Sequence, residues 1–225
     1  RLIFRGGIDW ERIFSSHIDW SHPDYPLLLP LSIVRLWTYI GEDTASVPPF
    51  IAGLFLFGTV GLLATGISIF RGKSQGYLGG MVLLGIPFFL RLGAFLYADI
   101  PYAFFLLATI ILLHIYENAV KKEPAFLIMA GMTASLAAWT KNEGLLFISS
   151  IILAFLVTRI LSKESVTKGT ALFVLGLLPV MLVIIYFKVM FAPDNDLIKE
   201  ITFPLILERL TDWSRYEIML RFLAG

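Results

Sequence analysis

The positions of the charged residues constrain this chain more than any other feature. Six long apolar stretches are separated by short polar connectors, and they cover residues 49–70, 76–94, 100–119, 124–140, 144–161 and 170–191. A stretch of about 20 apolar residues is long enough to cross a hydrocarbon core of roughly 30 Å. We therefore predict an all-α fold, a polytopic bundle with about six transmembrane helices.

The overall composition agrees with a membrane protein. The chain is 57% hydrophobic and 16% charged, with a mean hydropathy of +0.80, which is more apolar surface than one aqueous core of 225 residues could hide. The net charge of +1 gives no reason to expect a nucleic-acid partner. The absence of cysteine excludes disulfides, thiolate metal sites and cysteine nucleophiles.

The connectors are of two kinds, and they alternate along the chain. The basic connectors are 71–73, 120–123 and 159–168, and the positive-inside rule assigns them to the cytoplasm. The acidic and aromatic connectors, 97–101 and 140–144, then fall on the extracytoplasmic face, together with the segments before 49 and after 191. We expect function on that face.

The segments outside the six spans are predicted to lie along the membrane. Residues 1–25 mix aromatic and charged side chains, as interfacial segments do. Residues 26–41 are apolar but too short to cross, so we expect an interfacial or re-entrant helix. We assign 1–191 to one membrane domain and 192–225 to an extracytoplasmic loop with an amphipathic segment. Because the chain starts without Met and ends abruptly, we also expect sequence to be missing at both ends.

Six polar residues from four separate segments converge on the extracytoplasmic boundary. They are His22, Asp24, Arg91, Asp99, Lys141 and Glu143. Ionisable groups at the ends of apolar spans are costly to bury, so they usually face a partner or a water-filled cavity. Arginine and lysine can hold a phosphate, while carboxylates can accept a proton or bind hydroxyl groups. The set therefore predicts a polar pocket.

Each of these residues also has an ordinary structural interpretation. Asp99 could cap the helix that begins there, since a helix N-terminus favours a carboxylate. Arg91 could extend toward lipid headgroups. Lys141 and Glu143 could form a solvated turn between two helices.

A second pattern in the chain resembles a set of metal ligands. The residues His17, Asp19, His22 and Asp24 form a repeated His-x-Asp spacing, but no helical periodicity accompanies it, and a bound metal is not favoured. We predict that no cofactor is required and leave a divalent metal open. His114 lies among apolar residues and is interpreted as structural.

Three short runs together resemble a known family. They are His-Pro-Asp-Tyr-Pro at 22–26, Tyr-Ala-Asp-Ile-Pro at 97–101 and Trp-Thr-Lys-Asn-Glu-Gly at 139–144. The combination resembles the GT-C superfamily of membrane glycosyltransferases, of the dolichyl-phosphate-mannose protein mannosyltransferase and aminoarabinose transferase type. The resemblance covers about residues 1–190.

The resemblance implies an activity and a location. The donor is a polyprenyl-phosphate sugar, and the hexosyl or pentosyl group passes with inversion to a lipid, glycan or protein acceptor. The reaction takes place on the extracytoplasmic face of the plasma (inner) membrane, as part of building the cell envelope.

The resemblance also implies roles for single residues. Asp99 matches an acidic catalytic residue of the second outer loop, and the family's principal catalytic Asp is expected upstream of Arg1. Lys141, with Arg91 nearby, is the candidate for the phosphate, because a preplaced cation stabilises the charge of a leaving phosphate. The expected substrate-binding residues are His22, Asp24, Tyr25, Arg91, Lys141 and Glu143.

Two other functions fit parts of the pattern. A transporter or flippase for a lipid-linked sugar or an anionic solute would place ionisable residues near the midplane, on broken helices. The mid-span positions here are nearly all apolar, which favours the enzyme. A non-catalytic membrane scaffold is the second alternative, and it would tolerate Asp99→Asn and Lys141→Ala.

Overall fold

A computed structural model describes residues 1–14, 24–161, 166–193, 208 and 211–224. The described part is helical and contains no strand, as predicted for an all-α protein. The chain divides into two compact units, Arg1–Ala192 and Pro193–Gly225. This boundary lies one residue from the predicted one, and the roles assigned to the two parts stay predictions.

The helices of the first unit follow one another with short connectors. They are α1 (Leu2–Arg5), α2 (Leu28–Ile40), α3 (Val47–Arg71), α4 (Lys73–Leu84), α5 (Pro87–Ala94), α6 (Asp99–Asn118), α7 (Pro124–Thr140), α8 (Glu143–Leu161) and α9 (Val166–Met190). A 3₁₀ helix spans Gly7–Phe14. The second unit contains α10 (Trp213–Ala224), in which Arg221 pairs with Glu217 one turn earlier.

Four helices of the described part are long and apolar enough to cross a membrane: α3, α6, α8 and α9. The predicted span 76–94 is instead broken into α4 and α5, which meet at an angle of 68° and count together as a possible fifth. The break has a local cause, because Pro87 lacks an N–H and disfavours a helical conformation at Ile86. The remaining predicted span, 124–140, is α7, which has only 17 residues, so six crossings stay a prediction.

The shortest of the predicted spans is also the most deeply packed. On α7, Leu127, Ala130, Ala134, Ala137 and Ala138 are fully buried, with α6, α8 and α9 packed around them. Small residues let neighbouring backbones approach closely, which is how helices associate inside a membrane.

Two glycines mark the closest approach, between α7 and α9. A Cβ at Gly131 would lie against the Phe173 carbonyl, and a Cβ at Gly176 would lie against the Ile128 carbonyl. The two helices therefore meet backbone to backbone. This contact makes α7 the centre of the bundle.

The N-terminal segment packs on the rest of the first unit at two places. Arg1 and Arg5 both pair with Asp43, which follows α2. The rings of Phe14 and Phe187 meet at 5.6 Å between centroids, at the end of α9. The next described residue after Phe14 is Asp24, which also lies close to that end of α9.

Candidate functional site

Four helix ends meet at one end of the bundle. Helices α6 and α8 begin there, and α7 and α9 end there, because successive helices run in opposite directions. The side chains gathered at this end form what we call the polar cluster, which consists of Asp24, Tyr25, Asp99, Tyr102, Lys141, Asn142, Glu143 and Lys188.

Lys141 is the centre of the polar cluster. Its Nζ lies 3.1 Å from Asp99 Oδ1 and 3.3 Å from Glu143 Oε1, and its side chain is only 16% exposed. Burial lowers the pKa of the ammonium, but the hydrogen bond and charge of Asp99, with those of Glu143, outweigh it, so the pKa lies above the ordinary 10.5. Lys141 is therefore a fixed cation at any physiological pH.

The carboxylate of Asp99 is used for this ion pair and not for a helix cap. Asp99 is the first residue of α6, the N-cap position is Ala98, and no side-chain cap is formed there. The Asp99 side chain remains 45% exposed while it accepts the hydrogen bond from Lys141. It can therefore bind a ligand hydroxyl without breaking the pair.

Asp24 joins a second group of polar atoms at the same end. Its buried carboxylate accepts a hydrogen bond of 2.8 Å from Asn142 Nδ2, and its backbone carbonyl accepts one from Lys188 Nζ. The side-chain oxygen of Asn142 is itself buried and has no hydrogen-bond partner among the described residues. These bonds tie residues 24, 142 and 188 together although they are far apart in the chain.

Two tyrosines line the polar cluster beside the ions. The Tyr25 hydroxyl donates to Glu143 Oε1 over 3.5 Å, and burial followed by the Glu143 charge raises the pKa of that hydroxyl. The Tyr102 ring lies 6.0 Å from Lys141 Nζ. Tyr25 therefore stays neutral and keeps a proton to donate.

The structure brings together five of the predicted site residues: Asp24, Tyr25, Asp99, Lys141 and Glu143. Their functional roles stay predictions. Arg91 lies exposed on α5, and its side chain forms no ion pair or hydrogen bond with another described residue. His22 falls outside the described residues, as do His17 and Asp19 of the possible metal pattern.

Sequence reasoning missed three members of the polar cluster: Tyr102, Asn142 and Lys188. Lys188 carried a signal, since a single cation in the last turn of a 25-residue apolar helix usually has a polar partner. Asn142 lies between Lys141 and Glu143, and an amide in a turn is too common to single out. Tyr102 is indistinguishable from the other aromatic residues of α6.

The polar cluster combines two ammonium groups with three carboxylates. Such a set can hold an anion at the cations, accept a proton at a carboxylate and bind sugar-like hydroxyls. No group of three potential metal-ligating side chains occurs in the described part of the chain. The arrangement suits the recognition of a polar, partly anionic ligand at the membrane boundary.

The broken helix offers a test of the transporter alternative. A transporter of this kind carries ionisable or ligand-binding groups where its helices are interrupted. The break between α4 and α5 falls at Gly85 and Ile86, which carry no ionisable side chain. The charged groups that surround Lys141 lie at helix ends instead.

A comparison with protein families identifies the chain. The sequence model of the dolichyl-phosphate-mannose-protein mannosyltransferase family matches residues 22–193, about three quarters of the chain. No curated protein and no solved structure gives a significant match. The chain belongs to this family and is an integral membrane glycosyltransferase of the GT-C type, which confirms the predicted resemblance.

Proposed function

We propose that this glycosyltransferase takes its sugar from a polyprenyl-phosphate donor and passes it to a lipid, glycan or protein acceptor on the extracytoplasmic face of the membrane. The observation that carries the proposal is the position of Lys141, a cation held between two carboxylates at the end of four apolar helices. A lipid-linked donor has its phosphate at this level, because its chain lies in the hydrocarbon region and its sugar in water.

Lys141 is the residue we assign to the donor phosphate. An ammonium has three N–H bonds, and those of Lys141 have two acceptors among the described residues, Asp99 and Glu143. The third can donate to a phosphate oxygen while both ion pairs are kept. As the bond between the sugar C1 and the phosphate oxygen breaks, negative charge grows on the phosphate, and the fixed cation stabilises it.

Asp99 is the residue we assign to the sugar or the acceptor. Its partly exposed carboxylate lies one hydrogen bond away from Lys141, so a sugar whose phosphate binds Lys141 would lie within reach of Asp99. During transfer the acceptor oxygen bonds to C1, the polyprenyl phosphate departs, and the acceptor proton passes to a carboxylate base. Asp24, Tyr25 and Glu143 would line the same cavity.

The test is sugar transfer by the full-length protein in membranes. Radiolabelled polyprenyl-phosphate mannose is the first donor to try, because the family is named for a mannosyl donor, and label is followed into lipid, glycan and protein fractions. Lys141→Ala and Asp99→Asn should each lower transfer by at least about 100-fold, which is typical of losing one stabilising group in the transition state.

The matched controls remove the same groups from the opposite end of the bundle. Lys73→Ala removes an exposed lysine, and Glu123→Gln removes an exposed carboxylate, so both should retain full transfer. Lys141→Arg keeps a charge but changes the geometry, and should retain part of the activity. Full transfer by a correctly inserted Lys141→Ala protein would overturn the proposal.

A further inference from the structure

Helices α3 and α6 form the walls of a cavity that the proposed transfer does not use. Its volume is about 270 Å³, and the described residues that line it lie within 63–71 of α3 and 107–114 of α6. Both helices are long and apolar enough to cross a membrane. One lining residue, Ile110, is 51% exposed. The cavity, which we call the α3–α6 cavity, is therefore open at the side of the bundle that faces lipid.

The α3–α6 cavity lies in the half of the two helices that is farther from the polar cluster. A Cβ at Gly58 would lie 3.4 Å from the Phe104 ring, and a Cβ at Gly66 would meet the Ile111 side chain. The two helices therefore run in the same direction, and both end far from the polar cluster, where α6 begins. Residues 63–71 are the last nine residues of α3, and they rise by about 12 Å along the helix axis. The cavity is thus about as long as half of a hydrocarbon core.

The first polar group of the α3–α6 cavity is Arg71, the last residue of α3. Its side chain is exposed and forms no ion pair or hydrogen bond with another described residue. A guanidinium has five N–H donors in a planar fork that fits two oxygens of one phosphate. Arginine at the end of a spanning helix extends to the level of the lipid headgroups. Arg71 can therefore hold a phosphate at the mouth of the cavity.

The second polar group is His114, which approaches the same end from α6. Its ring meets the Phe70 ring edge to face, with 4.2 Å between the centroids. The Asn118 amide nitrogen, which can only donate, lies 3.3 Å from His114 Nδ1. Because Nδ1 accepts this hydrogen bond, the proton of the neutral ring is on Nε2. His114 therefore has an N–H to offer to a ligand oxygen, and Phe70 holds the ring in place.

The rest of the lining is apolar, and no carboxylate occurs among the described residues that form it. Glu117 follows His114 on α6, but it lines other cavities and pairs with Lys122 and Arg159. A ligand of the α3–α6 cavity therefore needs two parts. One part is an apolar chain along the walls, and the other is a group with anionic oxygens at Arg71 and His114.

We propose that the α3–α6 cavity binds an anionic phospholipid, with one acyl chain between α3 and α6 and the headgroup phosphate at Arg71 and His114. Lipid tails are as apolar as the cavity walls, so the choice among lipids depends on the headgroup. Basic pockets between transmembrane helices are a common site for anionic headgroups. A zwitterionic headgroup would add an ammonium group for which the described lining has no carboxylate.

The experiment is native mass spectrometry of the full-length protein in detergent, titrated with phosphatidylglycerol or phosphatidylcholine. Arg71→Ala removes the cation at the mouth of the α3–α6 cavity. Its matched control is Lys73→Ala, which removes the same charge two residues later from a side chain that is exposed and does not line the cavity. His114→Phe keeps a ring against Phe70 but removes the N–H.

Phosphatidylglycerol should bind to the unchanged protein more tightly than phosphatidylcholine does. Its affinity should fall at least about tenfold in Arg71→Ala, as expected for the loss of hydrogen bonds to a charged group, and about threefold or more in His114→Phe. Lys73→Ala should lose less than about twofold. Equal losses in Arg71→Ala and Lys73→Ala would mean general attraction to a basic surface and would overturn the site.

A second pair of variants tests the place of the acyl chain. Leu107→Trp fills the α3–α6 cavity with a larger side chain, and it should weaken the binding of both lipids. Leu146→Trp makes the same substitution on α8, at a side chain that is 72% exposed, and should leave both affinities unchanged. Equal affinities in the two tryptophan variants would show that the chain lies elsewhere and would overturn the proposal.

A soluble competitor tests the source of the phosphate. Millimolar glycerol phosphate has the headgroup phosphate without acyl chains, so it should fail to displace phosphatidylglycerol, and complete displacement would overturn the lipid assignment. Equal unfolding temperatures within each matched pair serve as the folding control. If Leu107→Trp unfolds earlier than Leu146→Trp, the comparison of Arg71→Ala with Lys73→Ala decides, since both side chains are exposed. None of these measurements depends on sugar transfer.

Discussion

The contact between α7 and α9 gives a sharp prediction about stability. An added Cβ at Gly176 would lie 2.8 Å from the Ile128 carbonyl carbon and closer still to its oxygen, whereas ordinary contact begins at 3.4 Å. Gly131 faces the backbone of α9 in the same way. Because backbone cannot rotate aside as a side chain can, Gly176→Ala must separate the helices by at least about 0.6 Å.

The expected cost follows from what the two helices bury. Overpacking a well-packed interior typically costs about 1–3 kcal/mol, and the separation here also loosens Phe173 and Leu177, which pack in the main core beside α7. In a protein of this size that corresponds to a fall of roughly 2–12 °C in unfolding temperature. Gly131→Ala should have an effect of similar size.

The control is Gly61→Ala on α3. Gly61 is in the middle of a helix, and an added Cβ there meets no atom within 4 Å. Alanine is the better helix former by up to about 1 kcal/mol, so this variant should unfold at the same or a slightly higher temperature. Comparing Gly176→Ala with Gly61→Ala therefore separates the cost of the close backbone contact from the effect of helix propensity.

The assay is thermal unfolding of the purified proteins in one detergent, followed by the intrinsic fluorescence of tryptophan. The double variant Gly131→Ala with Gly176→Ala should cost less than the sum of the single variants, because the first separation makes room for the second Cβ. If Gly176→Ala unfolds within about 1 °C of Gly61→Ala, the inferred backbone contact between α7 and α9 is wrong.

Two further predictions concern the polar cluster. Asp24→Ala should lower stability by about 1–3 kcal/mol, because the Asn142 amide loses its buried acceptor. Asp24→Asn should lose much less, since its amide oxygen can still accept from Asn142, and the Lys188 bond goes to the backbone in both variants; equal losses in thermal unfolding would contradict this. The ion pair of Lys141 with Asp99 should stabilise the protein fully below pH 10.5 and be lost only as pH rises through the higher folded-state pKa. The difference in unfolding temperature between the unchanged protein and Lys141→Met should therefore stay constant between about pH 7 and about pH 9.5. A decrease within that range would contradict the raised pKa of Lys141.

The helices could be predicted from the sequence because a membrane leaves few alternatives. Long apolar runs bounded by charges must be helices, since every backbone group has to be satisfied within the segment. Their bounds in the structure agree within a few residues for most runs. The exception is 76–94, which contains Pro87. A count of apolar residues does not register this proline, although its missing N–H interrupts the helix.

The polar cluster was only partly predictable. Asp99, Lys141 and Glu143 could be grouped because all three occur at helix ends on one predicted side. The bonds that join residue 24 to Asn142 and Lys188 connect positions more than a hundred residues apart, and no local pattern encodes such a contact. The burial of Arg159 could not be predicted either, for a different reason: a cation at a helix end is usually exposed.

The length of α7 links the fold to the proposed chemistry. Its 17 residues give a helix of about 25 Å, which is shorter than a hydrocarbon core of roughly 30 Å. A short central helix surrounded by longer ones draws the connector at its end inward, and the low exposure of Lys141 agrees with this. A cation held at that depth needs anionic partners, which Asp99 and Glu143 supply. On the proposed function, the same depth brings the third N–H of Lys141 to the level of a lipid-linked phosphate. The short helix and the two carboxylates would then together hold Lys141 where it can bind the donor phosphate.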